Sequence, residues 1–138
     1  MIHVDFINKH EWSPLSEKAH LIAFNKSKPS DWDRIDYALV VANGETPMGY
    51  VTCREVDAKT VYWQFGGAFP GTKGTPMTWQ GYQAFVEWCK LRGYDRITTL
   101  IENENVAMLK MAMKVGFRIQ GIRYAQGSVL LEHVKELR

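Results

Sequence analysis

Between Val61 and Phe85 the sequence reads "VYWQFGGAFPGTKGTPMTWQGYQAF", and no other stretch limits the fold as tightly. A strand-like run gives way to a helix-like run across residues 66–76, which hold four glycines and two prolines. Glycine lets a backbone wrap closely around a guest. A helix start offers unpaired N–H groups and the positive end of the helix dipole. Together these make Gly71-Thr72-Lys73-Gly74-Thr75 a candidate pyrophosphate cradle, with Lys73 as an added point charge. The other reading is a plain strand-to-helix loop, in which the glycines turn the chain and Pro76 starts the helix. Other anion-binding patterns fit less well. A Walker A loop needs Gly-Lys-Ser/Thr, but Gly74 follows Lys73, and GxGxxG is absent. A GxxG loop of the RNA-binding type sits between two helices rather than after a strand.

The chain around this stretch has the makings of one domain. Its 138 residues suffice for a core, with 46% hydrophobic and 23% charged residues. A net charge of +2, from 17 basic and 15 acidic residues, argues against a nucleic-acid partner. Cys53 and Cys89 stand 36 positions apart without a CxxC motif, as free thiols of a reducing compartment do. No signal-like start and no run of 18 apolar residues appear, so the expectation is a cytoplasmic protein without a membrane partner.

The order of elements follows from hydrophobic period. Ile2, Val4 and Phe6 alternate as a strand. Ser13 and Pro14 open a helix carrying Leu15, Ala19 and Ile22, and residues 25–33 read as a loop or short second helix. A buried strand over residues 35–42 turns at "NGETP" into "MGYVTCREV", and "AKT" turns again into Val61–Phe65. The helix after the glycines presents Met77, Gly81, Phe85, Trp88 and Leu91 on one face and ends at Gly93. A strand over Arg96–Ile101, a helix from about Asn105 to Val115 stopped by Gly116, and the strands "FRIQGIRY" and "SVLLEHV" complete an α+β domain.

The segment "ENENVAMLKMAMKVGFRIQGIR", Glu102 to Arg123, resembles the C-terminal motif of the GCN5-related N-acetyltransferases (GNAT). The likeness is greatest to the branch that acetylates protein N-termini and small amines. It lies in an Asn at a strand-to-helix junction (Asn105), a helix ending in Lys114-x-Gly116-Phe117, then Arg118 and Gly121. The resemblance implies one domain over residues 1–138 with a mixed, mainly antiparallel sheet of about seven strands, about four flanking helices and two splayed parallel strands in the middle. It further implies acetyl-CoA as cofactor and a primary amine as acceptor, either a protein N-terminus or a small molecule, and leaves room for a homodimer. On the family's loop pattern, Arg/Gln-x-x-Gly-x-Gly/Ala, the pyrophosphate would be held by Thr72, Lys73, Gly74 and Thr75. Gly71 and Pro76 depart from the pattern, and Pro76 removes one N–H. The backbone of Gly67, Ala68 and Phe69 would pair with the pantetheine arm, and Asn105 would hydrogen-bond the arm, cap the helix, or both.

The usual proton-transfer positions of the family are apolar or weak here. The strand before the loop carries Thr60 near the position of the usual base and no acid. Ala112 stands where a tyrosine acid is common, and Met108 where a serine can serve. Glu102, at the end of "RITTLIE", is the remaining carboxylate and the candidate catalytic residue; a first-turn acid favoured by the helix dipole is its other reading. Tyr62, Gln64 and Tyr124 could face the acceptor, and Trp12 and Trp32 could wall it. His3, His10, His20 and His133 form no metal cluster. The alternative expectation is a non-catalytic member of the fold, acting as a structural or binding protein.

Overall fold

Seven strands pair into one sheet among residues 1–7, 21, 34–69, 71, 75–125 and 127–138, which the computed structural model describes. The strands are β1 (Ile2–Ile7), β2 (Tyr37–Asn43), β3 (Thr46–Asp57), β4 (Thr60–Ala68), β5 (Arg96–Glu102), β6 (Arg118–Ala125) and β7 (Ser128–Glu136). Their spatial order is β1-β2-β3-β4-β5-β7-β6. Every neighbouring pair is antiparallel except β4 and β5, which run parallel. Helix α1 (Pro76–Leu91) links the parallel strands, and α2 (Val106–Lys114) leads from β5 to β6. The α+β class and the seven-stranded mixed sheet agree with the sequence expectation. Two of the expected four helices fall among the described residues; the helix expected from Ser13, the segment 25–33, Trp12 and Trp32 lie outside them.

Local chemistry sets the ends of the elements. Gly44 adopts φ 60° in the two-residue turn between β2 and β3, a positive angle that a tight hairpin of this length requires. Both helices end in the same device. After α1, Gly93 takes φ 90°, its N–H bonds to the Lys90 carbonyl (3.0 Å), and the Tyr94 N–H bonds to the Cys89 carbonyl (3.2 Å). After α2, Gly116 takes φ 95°, with its N–H on the Met113 carbonyl (3.1 Å) and the Phe117 N–H on the Ala112 carbonyl (2.9 Å). Each is a Schellman motif, in which left-handed glycine lets two terminal carbonyls find donors. The glycine and aromatic of "RGY" and "VGF" therefore do one job twice.

The core lies on the face of the sheet that the helices cover. Leu39, Val51, Cys53, Val61, Trp63, Ile97 and Ile101 meet Phe85 and Cys89 of α1, Ala112 of α2 and Phe117. α1 packs across β1, β2 and β3. Leu91, expected on the buried stripe of α1, is instead 80% exposed. The stripe follows Phe85 and Cys89, one helical turn apart, and Leu91 is the last helical residue, turned past it. Among the described residues no helix is long and apolar enough to cross a membrane.

Both cysteines are free and fully buried. Burial pushes the Cys89 thiol up to about 12, against a smaller opposing pull from Arg92. Burial also holds Cys53 well above its ordinary value, with Cys89 and Asp36 adding to the effect. Folded values above the unfolded value of 9.0 mean stability that is intact below pH 9 and lost as pH climbs toward 12. Denaturant melts should therefore weaken above about pH 9, and disulfide reagents should label native protein only as fast as it unfolds. Prompt labelling of either thiol in native protein would contradict the burial.

Candidate active site

β4 and β5 pair only from Thr60–Arg96 to Trp63–Thr99. Beyond that point β4 stays with β3 (Gly66 to Ala68 opposite Val51 to Gly49), and β5 stays with β7 (Leu100 to Glu102 opposite Glu132 to Leu130). The parallel pair thus opens into a wedge. At its apex the Thr99 hydroxyl donates to the Trp63 carbonyl at 3.0 Å. The register between β3 and β4 also slips here, because Cys53 faces Trp63 while Thr52 faces Phe65. Gln64 is the extra residue of this bulge, and a bulge bends its strand. Its Oε1 is buried with no hydrogen-bond partner among the described residues.

β4 was expected to end at Phe65, but it continues through Gly66, Gly67 and Ala68. Pairing with β3 holds these weak strand formers extended. Two glycines are required by close approach. A Cβ on Gly66 would meet the Trp63 indole at 2.6–2.9 Å, and a Cβ on Gly49 would meet the Gly67 carbonyl oxygen at 2.6 Å. The Phe69 N–H bonds to the Met48 carbonyl at 2.9 Å, which sets the phase of the ladder. By alternation the backbone groups of Gly66 and Ala68 point away from β3, into the wedge. An open β edge of this kind accepts an extended, amide-bearing chain.

Seven residues after β4, α1 begins. Thr75 is its N-cap with extended backbone and no side-chain capping bond, Pro76 follows, and the first turn holds no acid. A helix start of this kind carries the positive end of the helix dipole, which favours an anion. Thr72, Lys73 and Gly74 lie outside the described residues. Gly71 is described, with φ 92°. A side chain is strained at that angle, which accounts for glycine where the family pattern carries Arg or Gln.

The remaining expected residues cluster at the start of α2. Asn105 is its N-cap, and its Oδ1 accepts the Met108 N–H at 3.2 Å. Its amide NH₂ has no partner among the described residues, so capping leaves two donors over. Glu102 ends β5, exposed, three positions past the wedge apex. Ala112 is buried in the core and carries no proton chemistry. The Met108 thioether accepts the Tyr82 hydroxyl at 3.4 Å. Tyr82 also packs edge-on against Trp63 (4.7 Å between centroids), and burial raises its hydroxyl above the ordinary tyrosine value. Tyr82 is not among the residues expected at the site from the sequence. Its meeting with Met108 joins positions 26 apart on two helices, and no local pattern signals it.

On the opposite face of the sheet a groove of about 330 Å³ runs up to the apex. Arg54 and Val56 of β3, Thr60 and Tyr62 of β4, Thr98 to Leu100 of β5, Arg123 of β6 and Glu132 of β7 line it. Tyr62 thus faces an open cavity, as one reading allowed, while its neighbour Trp63 points into the core. Tyr124, at the end of the expected strand "FRIQGIRY", is part of β6 and 83% exposed. The expected absence of an acid on β4 holds along its whole length. Among the described residues no three potential ligands gather as a metal site.

Solved structures share this architecture. A GNAT family acetyltransferase from Elizabethkingia anophelis, with acetyl-CoA bound, superposes with a TM-score of 0.79 at 14% identity over 98% of this chain and 97% of that one. Arabidopsis thaliana Naa50, in complex with the bisubstrate analogue CoA-Ac-MVNAL, gives 0.74 at 14% identity over 97% of each chain. The spermidine/spermine N-acetyltransferase SpeG from Vibrio cholerae gives 0.75 at 9% identity over 99% and 95%. No protein-family model and no curated protein matches the sequence. The chain has the fold of the GNAT acetyltransferases, splayed parallel pair included. SpeG is named for spermidine and spermine, Naa50 is held with a peptide-bearing analogue and the Elizabethkingia protein is named for no acceptor, so the shared architecture leaves the acceptor open.

Proposed function

We propose that the chain is an acetyl-CoA-dependent N-acetyltransferase acting on a primary amine. The observation that carries this reading is the wedge between β4 and β5, with an open backbone edge on one side and the start of α1 beyond it. The residues present fit acetyl-CoA. Gly66 and Ala68 offer backbone to the pantetheine arm, in place of the expected Gly67 and Phe69, whose backbone groups face β3, and Asn105 offers its amide NH₂. Thr72, Lys73, Gly74 and Thr75 supply the pyrophosphate cradle ahead of α1. Acetyl-CoA, when bound, supplies an acetyl group activated as a thioester.

The chain's own task is to align a neutral amine with that group and to manage protons. Glu102, exposed at the end of β5, is the carboxylate assigned to receive the amine's proton, directly or through water. The Tyr82 hydroxyl, which donates to the weak Met108 thioether acceptor, is the donor on the helix side. Neither is a strongly placed proton carrier. Glu102→Gln should therefore lower the turnover rate by less than the roughly hundredfold expected of a dedicated base, with acetyl-CoA affinity unchanged. A loss of several thousandfold would make Glu102 the essential base.

The second reading, a non-catalytic binding protein, draws on Ala112 and Met108 at the usual proton-transfer positions. A thermal-shift titration with acetyl-CoA, followed by an acetylation assay, separates the two. Acetyl-CoA at a hundredfold its Kd should add about 2.7 kcal/mol to stability. Stabilisation without turnover on any amine would favour the second reading. No stabilisation at any concentration would remove the acetyl-CoA assignment and leave a non-catalytic member of the fold.

A further inference from the structure

The charges in the groove are unequal. Arg123 donates to Glu132 at 3.0 Å, which accounts for one guanidinium and one carboxylate. Arg54 lies over the Tyr62 ring at 5.7 Å from its centroid and has no carboxylate partner among the described residues. A guanidinium stacked on an aromatic face keeps its edge N–H groups free, and that edge matches a carboxylate in bidentate fashion. Glu132 keeps one carboxylate oxygen, Oε2, without a hydrogen-bond partner among the described residues.

The two unsatisfied groups are ordered along the groove. Arg54, Tyr62 and Thr98 form one cross-strand row. Glu132 pairs with Leu100, two residues further along β5 and so one same-face step nearer the wedge. The backbones of Arg54 and Glu132 are three strand spacings apart, roughly 16 Å with the offset, and both side chains line the groove. What remains suits a short spacer. A volume of about 330 Å³ is at the small end for ligand pockets.

We propose that this groove takes a small amino-carboxylate as acceptor, its carboxylate on Arg54 and its amino group beside Glu132, toward the wedge. This rests on the acetyltransferase reading and names its acceptor class. A diamine is disfavoured, because its second ammonium would face Arg54.

Direct titration calorimetry without acetyl-CoA tests the groove, using 3-aminopropanoate, 4-aminobutanoate, propylamine and 1,4-diaminobutane as probes. An amino-carboxylate should bind at least tenfold more tightly than propylamine and the diamine. Arg54→Gln should abolish that preference, Arg54→Lys should restore part of it, and both variants should keep the parent's stabilisation by acetyl-CoA. Equal or tighter binding of propylamine or the diamine, no binding of any probe, or an unchanged preference in Arg54→Gln would overturn the proposal. Failure of acetyl-CoA to stabilise the parent would instead remove the acetyltransferase reading, while the calorimetry still decides what the groove binds.

Discussion

Trp63→Ala should lower the unfolding free energy by about 3–5 kcal/mol, read from the midpoint of a denaturant melt. Trp63 is 93% buried, and among the described residues three aromatic rings pack on it. Its ring centroid lies 4.7 Å from Tyr82, 5.6 Å from Phe85 and 6.4 Å from Phe117. It thus ties α1 and the segment after α2 to the centre of the sheet. Truncation removes the indole and leaves a cavity between elements that cannot all close in at once. Gly66 gives the indole its room from below, so the void would extend to β4 beside the wedge. A second consequence is weaker acetyl-CoA binding, since Trp63 is also the last β4 residue joined to β5. Trp63→Phe should cost clearly less than alanine. A cost under about 1 kcal/mol for alanine would show that the site repacks and that Trp63 is not the centre of the core.

Gly49→Val should cost stability at or above the upper end of the roughly 1–3 kcal/mol typical of overpacking, and should abolish stabilisation by acetyl-CoA. The Cβ position of Gly49 lies 2.6 Å from the Gly67 carbonyl oxygen and 3.3 Å from the Ala68 Cα. Both obstacles are backbone, so no rotamer change relieves the contact. β4 must shift outward at Gly67 and Ala68, where it borders the wedge. Thermal melts of the variant with and without acetyl-CoA check both effects. Native stability together with a native ligand response would mean that the β3–β4 edge yields freely and is no fixed wall of the site.

Much of this architecture was legible because it is written in local chemistry. Gly93 and Gly116 mark helix ends, since left-handed backbone favours glycine. Asn105 was readable as an N-cap, and the alternating strands as a sheet of about seven. Leu91 shows where period counting fails. One helical stripe cannot reveal which sheet residues wait beneath it, and the last residue of the helix turned outward. The end of β4 failed for a related reason. Gly66 and Gly67 have little strand preference of their own, and only pairing with β3 extends them.

The order of elements, the helix caps, the lack of an acid on β4 and the glycine-rich approach to a helix start are all carried by the residues in their local order. Each depends on backbone preferences within a few residues, which one chain segment states for itself. Where the parallel strands part depends on the assembled sheet, since it requires the bulge at Gln64 and the Thr99 hydroxyl on the Trp63 carbonyl to coincide. The tertiary structure alone set Tyr82 against Met108 and gathered Arg54, Tyr62 and Glu132 around one groove. Those residues come from separate strands and helices, and contact between them is fixed by sheet register and packing, which no local pattern in the sequence records.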